Sequence, residues 1–238
     1  MKKIIVTKDF WEIFPTAQIQ VVIAKGLNNQ VVDEKYDDFK NMLAEAVKES
    51  QKFLTADVFS QNEVIALWRE AFSQFKTKKG ARSSIEALLK RASQGREFEP
   101  INPLVDIYNS ISLEFAVPAG GEDLEAIDGD LILGKAQGGE SFFPLGADKD
   151  APALPEEIIY YDQTGAVCRC LNWREAQRTM LLEKTTDAVL VLESINQEQA
   201  ERANQAVQEL KKKIDSYFSI DSQIITLTAG NPSATLIE

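Results

Sequence analysis

Histidine is absent from this chain of 238 residues, and its absence limits what the other groups can do. Serine–histidine and cysteine–histidine catalysis are excluded, and so is most zinc chemistry. Any reaction here must use carboxylates, hydroxyls, backbone groups, a bound water or the substrate itself. The stretch where such groups form the most distinctive pattern is 101–123, INPLVDIYNSISLEFAVPAGGED. Within it Asn102, Asp106, Asn109 and Ser112 recur every three or four residues, which puts them on one strip of a helix. An ordinary solvated strip mixes Lys and Glu. This one has neither, and its short hydrogen-bonding side chains suit a buried polar network, a pocket wall, or both. Gly120 and Gly121 then lie between Pro118 and Asp123. Backbone without side chains at such a bend can approach a ligand or another strand closely.

Other patterns carry less. Residues 129–136, GDLILGKA, come near the phosphate-loop pattern G-x-x-x-x-G-K-[ST], but Ala136 stands where the magnesium-binding hydroxyl belongs. The middle of the match is also an apolar strand, so the pattern is rejected. Segment 76–96 carries Lys76, Lys78, Lys79, Arg82, Lys90, Arg91 and Arg96 against one acid, Glu86. In a chain of net charge −11, that excess is either a phosphate-contact surface or a plain solvated face. Arg169, Arg174 and Arg178 surround Trp173, a grouping that suits nucleotide stacking if the ring is exposed. Cys168 and Cys170, the only cysteines, read as two thiols on one strand face. With no histidine beside them they fit a buried structural role, and their spacing offers no disulfide framework.

The elements that must position these residues follow from spacing. Asn102-Pro103 reads as an N-cap and first helical residue, and Leu104, Ile107, Tyr108 and Ile111 supply one apolar face. Ahead of it, 3–6 and 18–24 read as strands and 33–54 as a long charged helix. Capping boxes at Ser60/Glu63 and Ser83/Glu86 open two more helices, the second stopped by Gly95. Beyond residue 113 the texture turns to strand and turn, with seven of the twelve glycines between Gly120 and Gly146. Runs 131–133, 142–143, 158–161, 167–171, 188–192 and 224–227 read as strands, 198–218 as a helix, and the end as a frayed tail. The class is α+β, a sandwich-like core of mostly antiparallel or mixed strands flanked by helices. Residues 1–60 form strands and a helix packed on a main unit 61–238, or the whole is a single domain. No run is long enough for a membrane span, and the opening MKKIIV breaks at Lys8-Asp9, too soon for a signal peptide. The expectation is a cytoplasmic protein that uses no metal and no cofactor.

Several segments in order resemble a known family. They are Trp68-Arg69-x-Ala71-Phe72, Arg82-Ser83-Ser84-x-Glu86-Ala87-Leu88, Asn102-Pro103-Leu104-Val105-Asp106 with Asn109 and Ser112, and Pro118-x-Gly120-Gly121-x-Asp123. Further on come Gly129-Asp130, Gly139-Glu140, Gly146, Glu157-Ile158-x-Tyr160-x-Asp162, Arg169, Asn172-Trp173-Arg174, Thr179 and Thr186. The series, over 64–193, resembles free-standing relatives of the editing domain of bacterial phenylalanyl-tRNA synthetase, the B-three/B-four unit of its beta subunit. The resemblance implies a sheet-rich fold and a pocket that hydrolyses tyrosine mischarged onto tRNA for phenylalanine. In the synthetase a glutamate ending a strand after a threonine reads the phenolic hydroxyl; 186–193, TDAVLVLE, has that form, which makes Glu193 the implied specificity residue. The chain departs from the family pattern in two places. Gly120 replaces a histidine two places after the proline, and a Thr-Glu-Ala-Ser stretch is missing.

An editor of this kind works on an already activated ester, so it needs a placed water and donors for the oxyanion rather than a strong nucleophile. The implied roles are N–H donors at Gly120 and Gly121, and water orientation by Asp123 or by the tRNA's own ribose hydroxyl. Asn102, Asp106, Asn109 and Glu193 would bind the aminoacyl group, and Lys78, Lys79, Arg82, Arg91 and Arg174 the acceptor end of tRNA. Two other classes stay open: a non-catalytic RNA-binding module, and a pocket protein for a small amino-acid-like ligand. A basic segment beside the pocket mouth favours tRNA, and one on the opposite face favours the small ligand.

Overall fold

Strand β8, Asp187–Ser194, is buried at every position after the first. A strand that reads DAVLVLES can be so only if both faces of its sheet are covered. In the computed structural model, which describes residues 1–237, β8 pairs antiparallel with β2 (Gln18–Lys25) over eight residues, from Gln18 opposite Ser194 to Lys25 opposite Asp187. Its other edge takes β3 (Ala119–Asp123), and β9 (Gln223–Leu227) pairs with the far edge of β2. The order is β3-β8-β2-β9.

Side-chain alternation then divides this sheet between two cores. Ile19, Val21, Ile23, Val189 and Val191 face a second, six-stranded sheet, joining Ile4, Leu131, Leu133, Ile158 and Val167 in one apolar cluster. Val22, Ala24, Leu190 and Leu192 face the other way, onto Ile107 and Ile111 of α5 (Pro103–Phe115) and Ala203, Val207 and Leu210 of α6 (Gln197–Phe218). The six-stranded sheet comprises β1 (Lys2–Val6), β4 (Leu131–Lys135), β5 (Ile158–Tyr161), β6 (Ala166–Arg169), β7 (Arg174–Glu175) and β10 (Ser233–Ile237), in the order β10-β1-β4-β5-β6-β7. Only its β1–β4 pair is parallel. The result is an α+β arrangement of a two-sheet sandwich with helices against the outer face of the smaller sheet. Strands from the first 25 residues lie inside both sheets.

The remaining helices are α1 (Lys8–Ile13), α2 (Tyr36–Ser50), α3 (Glu63–Phe72) and α4 (Ser84–Ser93). The Ser83 cap forms as expected, its hydroxyl accepting from the Glu86 amide at 3.3 Å, and Gly95 follows the helix at φ +64. The Glu86 carboxylate does not close the box; it binds Arg69 at 2.7 Å. Helix α3 starts two residues later than its box predicted. Asn62 is its N-cap, and Ser60 lies in a short 3-10 turn. The long helix expected over 33–54 is α2, with single 3-10 turns at both ends.

Three readings are corrected. The expected frayed tail is β10, held by antiparallel pairing with β1, a long-range contact with no local signature. Residues 142–143 are not a strand, and the short strand β7, which pairs with β6, was not expected. The expected bend at 118–123 is strand β3, with the turn placed earlier at Ala116, which closes α5 with φ 50. The glycines serve close approach instead. A Cβ on Gly121 would lie 2.9 Å from Leu181 Cδ1, and one on Gly120 3.4 Å from Asn172 Nδ2.

Candidate functional site

A cavity of about 390 Å³ opens beside the β3 edge, walled by α4, α5, β3, Cys168 of β6, the turn residues 172–173 and β7. Helix α5 is set there by its polar strip. Asn102 Oδ1 accepts from the Val105 amide at 3.1 Å and from Asn29 Nδ2 at 3.0 Å. Both Asp106 oxygens accept from the Ile101 amide, at 3.0 and 3.1 Å. Ser112 Oγ donates to the Val117 carbonyl at 2.6 Å. These three residues are buried and tie down the helix ends; of the strip, only Asn109 lines this cavity. Asn102 borders a neighbouring cavity of about 550 Å³ that shares Leu145 and Glu175 with the first. Burial raises Asp106 from 3.8 to about 6, against the lowering effect of the Ile101 amide.

Ladder geometry separates the two glycines. The Leu124 amide donates to the Asp187 carbonyl and the Glu193 amide to the Pro118 carbonyl. In an antiparallel pair such bonded positions alternate, so Gly120 and Glu122, opposite Val191 and Val189, spend their amides on β8. The amides of the intervening residues face the other edge, where the Asp123 amide reaches the Thr179 carbonyl and Glu122 bridges to Met180. Gly121, which lines the cavity, therefore has an amide free of the ladder. Asp123 stands outside the cavity wall, its Oδ2 accepting from Thr185 Oγ1 at 2.7 Å and its Oδ1 from the Glu125 amide at 2.9 Å.

Gly120 and Glu122 share a face of β3, and that face meets the polar floor of the cavity. Glu122 is buried; Cys168 Sγ donates to its Oε1 at 3.0 Å, while Oε2 has no partner. Burial, then the charge of Glu175, push Glu122 well above the usual carboxylate range. Glu175, half-buried on the same wall, rises from 4.5 to about 7 through burial. The Cys168 thiol goes up for the same reasons, burial first and Glu122 next. Asn172 is held at two points. Its amide donates to Glu193 Oε1 at 3.1 Å and its Oδ1 accepts from Ser84 Oγ at 2.8 Å. The buried Nδ2 is left without a partner, against Gly120.

A family model described as the B3/4 domain matches residues 67–225, well over half of the chain. The chain belongs to the B3/4 domain family. It is 32% identical over 68 residues to the phenylalanine–tRNA ligase beta subunit of Cutibacterium acnes, an alignment covering 29% of this chain and 8% of that subunit. Among solved structures it matches an N-terminal fragment of the phenylalanyl-tRNA synthetase beta subunit from Pyrococcus horikoshii. That match covers 93% of this chain and 49% of the fragment, at 13% identity and a TM-score of 0.44. The chain thus spans about half of one relative and a small part of the other.

The remaining expected site residues of this B3/4 domain are spread over the structure. Glu193 does not line the cavity. It lies buried between the sheets, raised to about 8 by burial, with the Tyr160 hydroxyl and the Asn172 amide opposing the rise, and reaches the cavity only through Asn172. Arg174 is exposed at the cavity wall, its guanidinium 5.1 Å from the Trp173 ring centre. Arg169 is buried in an ion pair with Glu157, and Arg178 binds Asp162 through two contacts of 2.8 Å; neither is available for stacking. Lys78, Lys79 and Arg82 are exposed just ahead of Ser84, which lines the cavity. Arg91 is at the far end of α4, donating to the Glu97 carbonyl and lying over Phe98.

Sequence reasoning missed Glu122, Glu175, Cys168 and Tyr108 as cavity residues. A period-two reading of 119–123 would have put Glu122 on the Gly120 face. Glu175, in a two-residue strand, carried no local signal. Among the described residues, no cluster has the makings of a metal site and no helix is long and apolar enough to cross a membrane.

Proposed function

We propose that this B3/4-domain protein hydrolyses the ester of a mischarged aminoacyl-tRNA in trans, with the acceptor end of the tRNA entering the cavity beside β3. The observation that carries the reading is a convergence within that cavity. The Gly121 amide that the β3–β8 ladder leaves unused, the unpartnered Nδ2 of Asn172 and the carboxyl groups of Glu122 and Glu175 meet there, in a chain with no histidine. The ligase subunits that resemble the chain are named for phenylalanine and its tRNA, which supports tRNA as the partner.

In this mechanism a water oxygen attacks the ester carbonyl carbon while its proton passes to Glu175, a base whose value near 7 suits neutral pH. The oxyanion forms against the Gly121 amide and Asn172 Nδ2. The tetrahedral intermediate then expels the ribose oxygen, which takes the proton back from Glu175, leaving free amino acid and tRNA. Glu175 thus takes the role first given to Asp123. Glu193 acts on selectivity by holding Asn172. Arg174 on Trp173, with Lys78, Lys79 and Arg82 beside Ser84, supplies phosphate and base contacts at the mouth.

The test is deacylation of a panel of aminoacyl-tRNAs, tyrosyl and phenylalanyl included, by wild type and Glu175→Gln. The expected result is turnover of at least one ester, slowed by the substitution about 100-fold or more. No turnover of any ester rejects the reading, and salt-dependent tRNA binding without turnover makes the protein an RNA-binding module. The acidic floor supports the small amino-acid ligand as the second reading, which gains if neither turnover nor tRNA binding is seen.

A further inference from the structure

The cavity floor holds a buried carboxyl group, Glu122, to which the ester hydrolysis assigns no step. Glu122 is 6% exposed; one of its oxygens takes the Cys168 thiol, and the other, with the buried Thr179 hydroxyl near it, makes no hydrogen bond. Glu175 adds a second carboxyl on the same wall. Among the described residues no cation pairs with either carboxyl: Arg174 is exposed over Trp173, and Arg178, whose charge reaches Glu122, is itself bound to Asp162. Placing two carboxyl groups in a partly desolvated cavity is costly unless something cationic joins them. The donor side is built as well. Asn172 is 8% exposed, and its bonds to Glu193 and Ser84 leave Nδ2 directed at Gly120, 3.4 Å from where a Cβ would be.

We propose that Glu122 is the seat of a primary ammonium group, so that the cavity selects amine-bearing ligands whose carbonyl reaches Asn172 Nδ2. Gly120 and Glu122 are successive positions on one face of β3, about 7 Å apart. An α-aminoacyl group, with its ammonium and carbonyl oxygen separated by about 3 Å and a hydrogen bond of about 2.9 Å at each end, fits that span. A side-chain amine on a longer ligand would use the same seat. Cys168 holds the Glu122 carboxylate in place, and Glu175 adds charge from the side. The inference concerns the same cavity as the hydrolase reading, but its readout is binding, which needs neither tRNA nor turnover.

The experiment is calorimetric titration of the full chain with a panel of L-amino acid amides, each against its α-N-acetyl counterpart. Lysinamide is also tested acetylated on the side-chain nitrogen. At least one amide should bind, and acetylating the nitrogen that faces Glu122 should weaken it about tenfold to a hundredfold, the loss of one charge-assisted hydrogen bond in a desolvated site. Which acetylation matters tells an α-ammonium from a side-chain one. Glu122→Gln, with its melting curve recorded, should cause a similar loss while keeping the shape of the side chain; the acetyl comparison stands by itself if that variant does not fold. Equal binding of acetylated and free amines, wild-type affinity in a folded Glu122→Gln, or no amide binding at millimolar concentration would each overturn the proposal. A negative deacylation assay alongside amine binding would reject only the hydrolase reading.

Discussion

Asp106 shows how a residue type can announce its environment without announcing its role. It is 2% exposed and spends both oxygens on the Ile101 amide. Asp106→Ala strands that amide, so a loss of about 1–3 kcal/mol is expected in a denaturant titration. An unchanged midpoint would show that the network is dispensable. The glycines offer a contrast one residue apart. Gly120→Ala would put its methyl group at 3.4 Å from Asn172 Nδ2, an ordinary contact, whereas Gly121→Ala would meet Leu181 Cδ1 at 2.9 Å and Leu190 Cγ at 3.3 Å. Gly120→Ala should fold with under about 1 kcal/mol lost, while Gly121→Ala should lose about 1–3 kcal/mol through overpacking. Thermal melts of the two variants check the order, and a reversed order would contradict the β3 geometry.

At the scale of elements, α4 links the basic segment to the cavity. Ser84, in its first turn, holds Asn172, and Arg82 precedes Ser84 by two residues. If tRNA is the partner, its affinity should fall steeply with salt. Replacing Lys78, Lys79 and Arg82 together by Ala should lower the slope of log K against log salt by about 2–3, near the value for that many phosphate contacts. Arg91→Ala should leave the slope alone, because Arg91 is at the other end of the helix, engaged with Glu97. Filter binding across a salt series measures both, and equal effects would place the RNA elsewhere. The element boundaries also show where local chemistry suffices. The Ser83 cap could be read because its partner is three residues away. Strand β3 could not be, because glycines are extended there only by pairing with β8.

Across the whole molecule, burial raises several carboxyl groups above their ordinary range, and this ties stability to pH. Burial raises Asp106 to about 6, Glu175 to about 7 and Glu193 to about 8, from ordinary values of 3.8, 4.5 and 4.5. Between pH 4 and pH 8 the folded chain therefore holds more protons than the unfolded one. Stability contributed by these groups is complete below their unfolded values and is lost as pH rises through the folded ones. The melting temperature should accordingly be higher at pH 5 than at pH 8, by on the order of 10 °C or more for a chain this size. Glu193→Gln should flatten the upper part of that fall. A melting temperature that rises over the same interval would mean that these carboxyls are ionised in the fold.

The sequence by itself determined the groups available and the local elements. It excluded histidine chemistry, marked α5 by Asn102-Pro103 and its apolar spacing, marked α4 by the Ser83 cap, and through the ordered motifs pointed to the B3/4 family. Each of those signals acts over a few residues or survives as a pattern along the chain. Tertiary structure alone decided that Glu122, Cys168 and Glu175 share one wall, since β6–β7 pairing sets 168 opposite 175 and the packing of the two sheets brings 122 against them. It also decided that Glu193 lies behind Asn172 and outside the cavity, because its position on β8 turns its side chain toward the space between the sheets. Which face a strand residue presents depends on register, and register is set by the pairing partner rather than by the strand's own sequence.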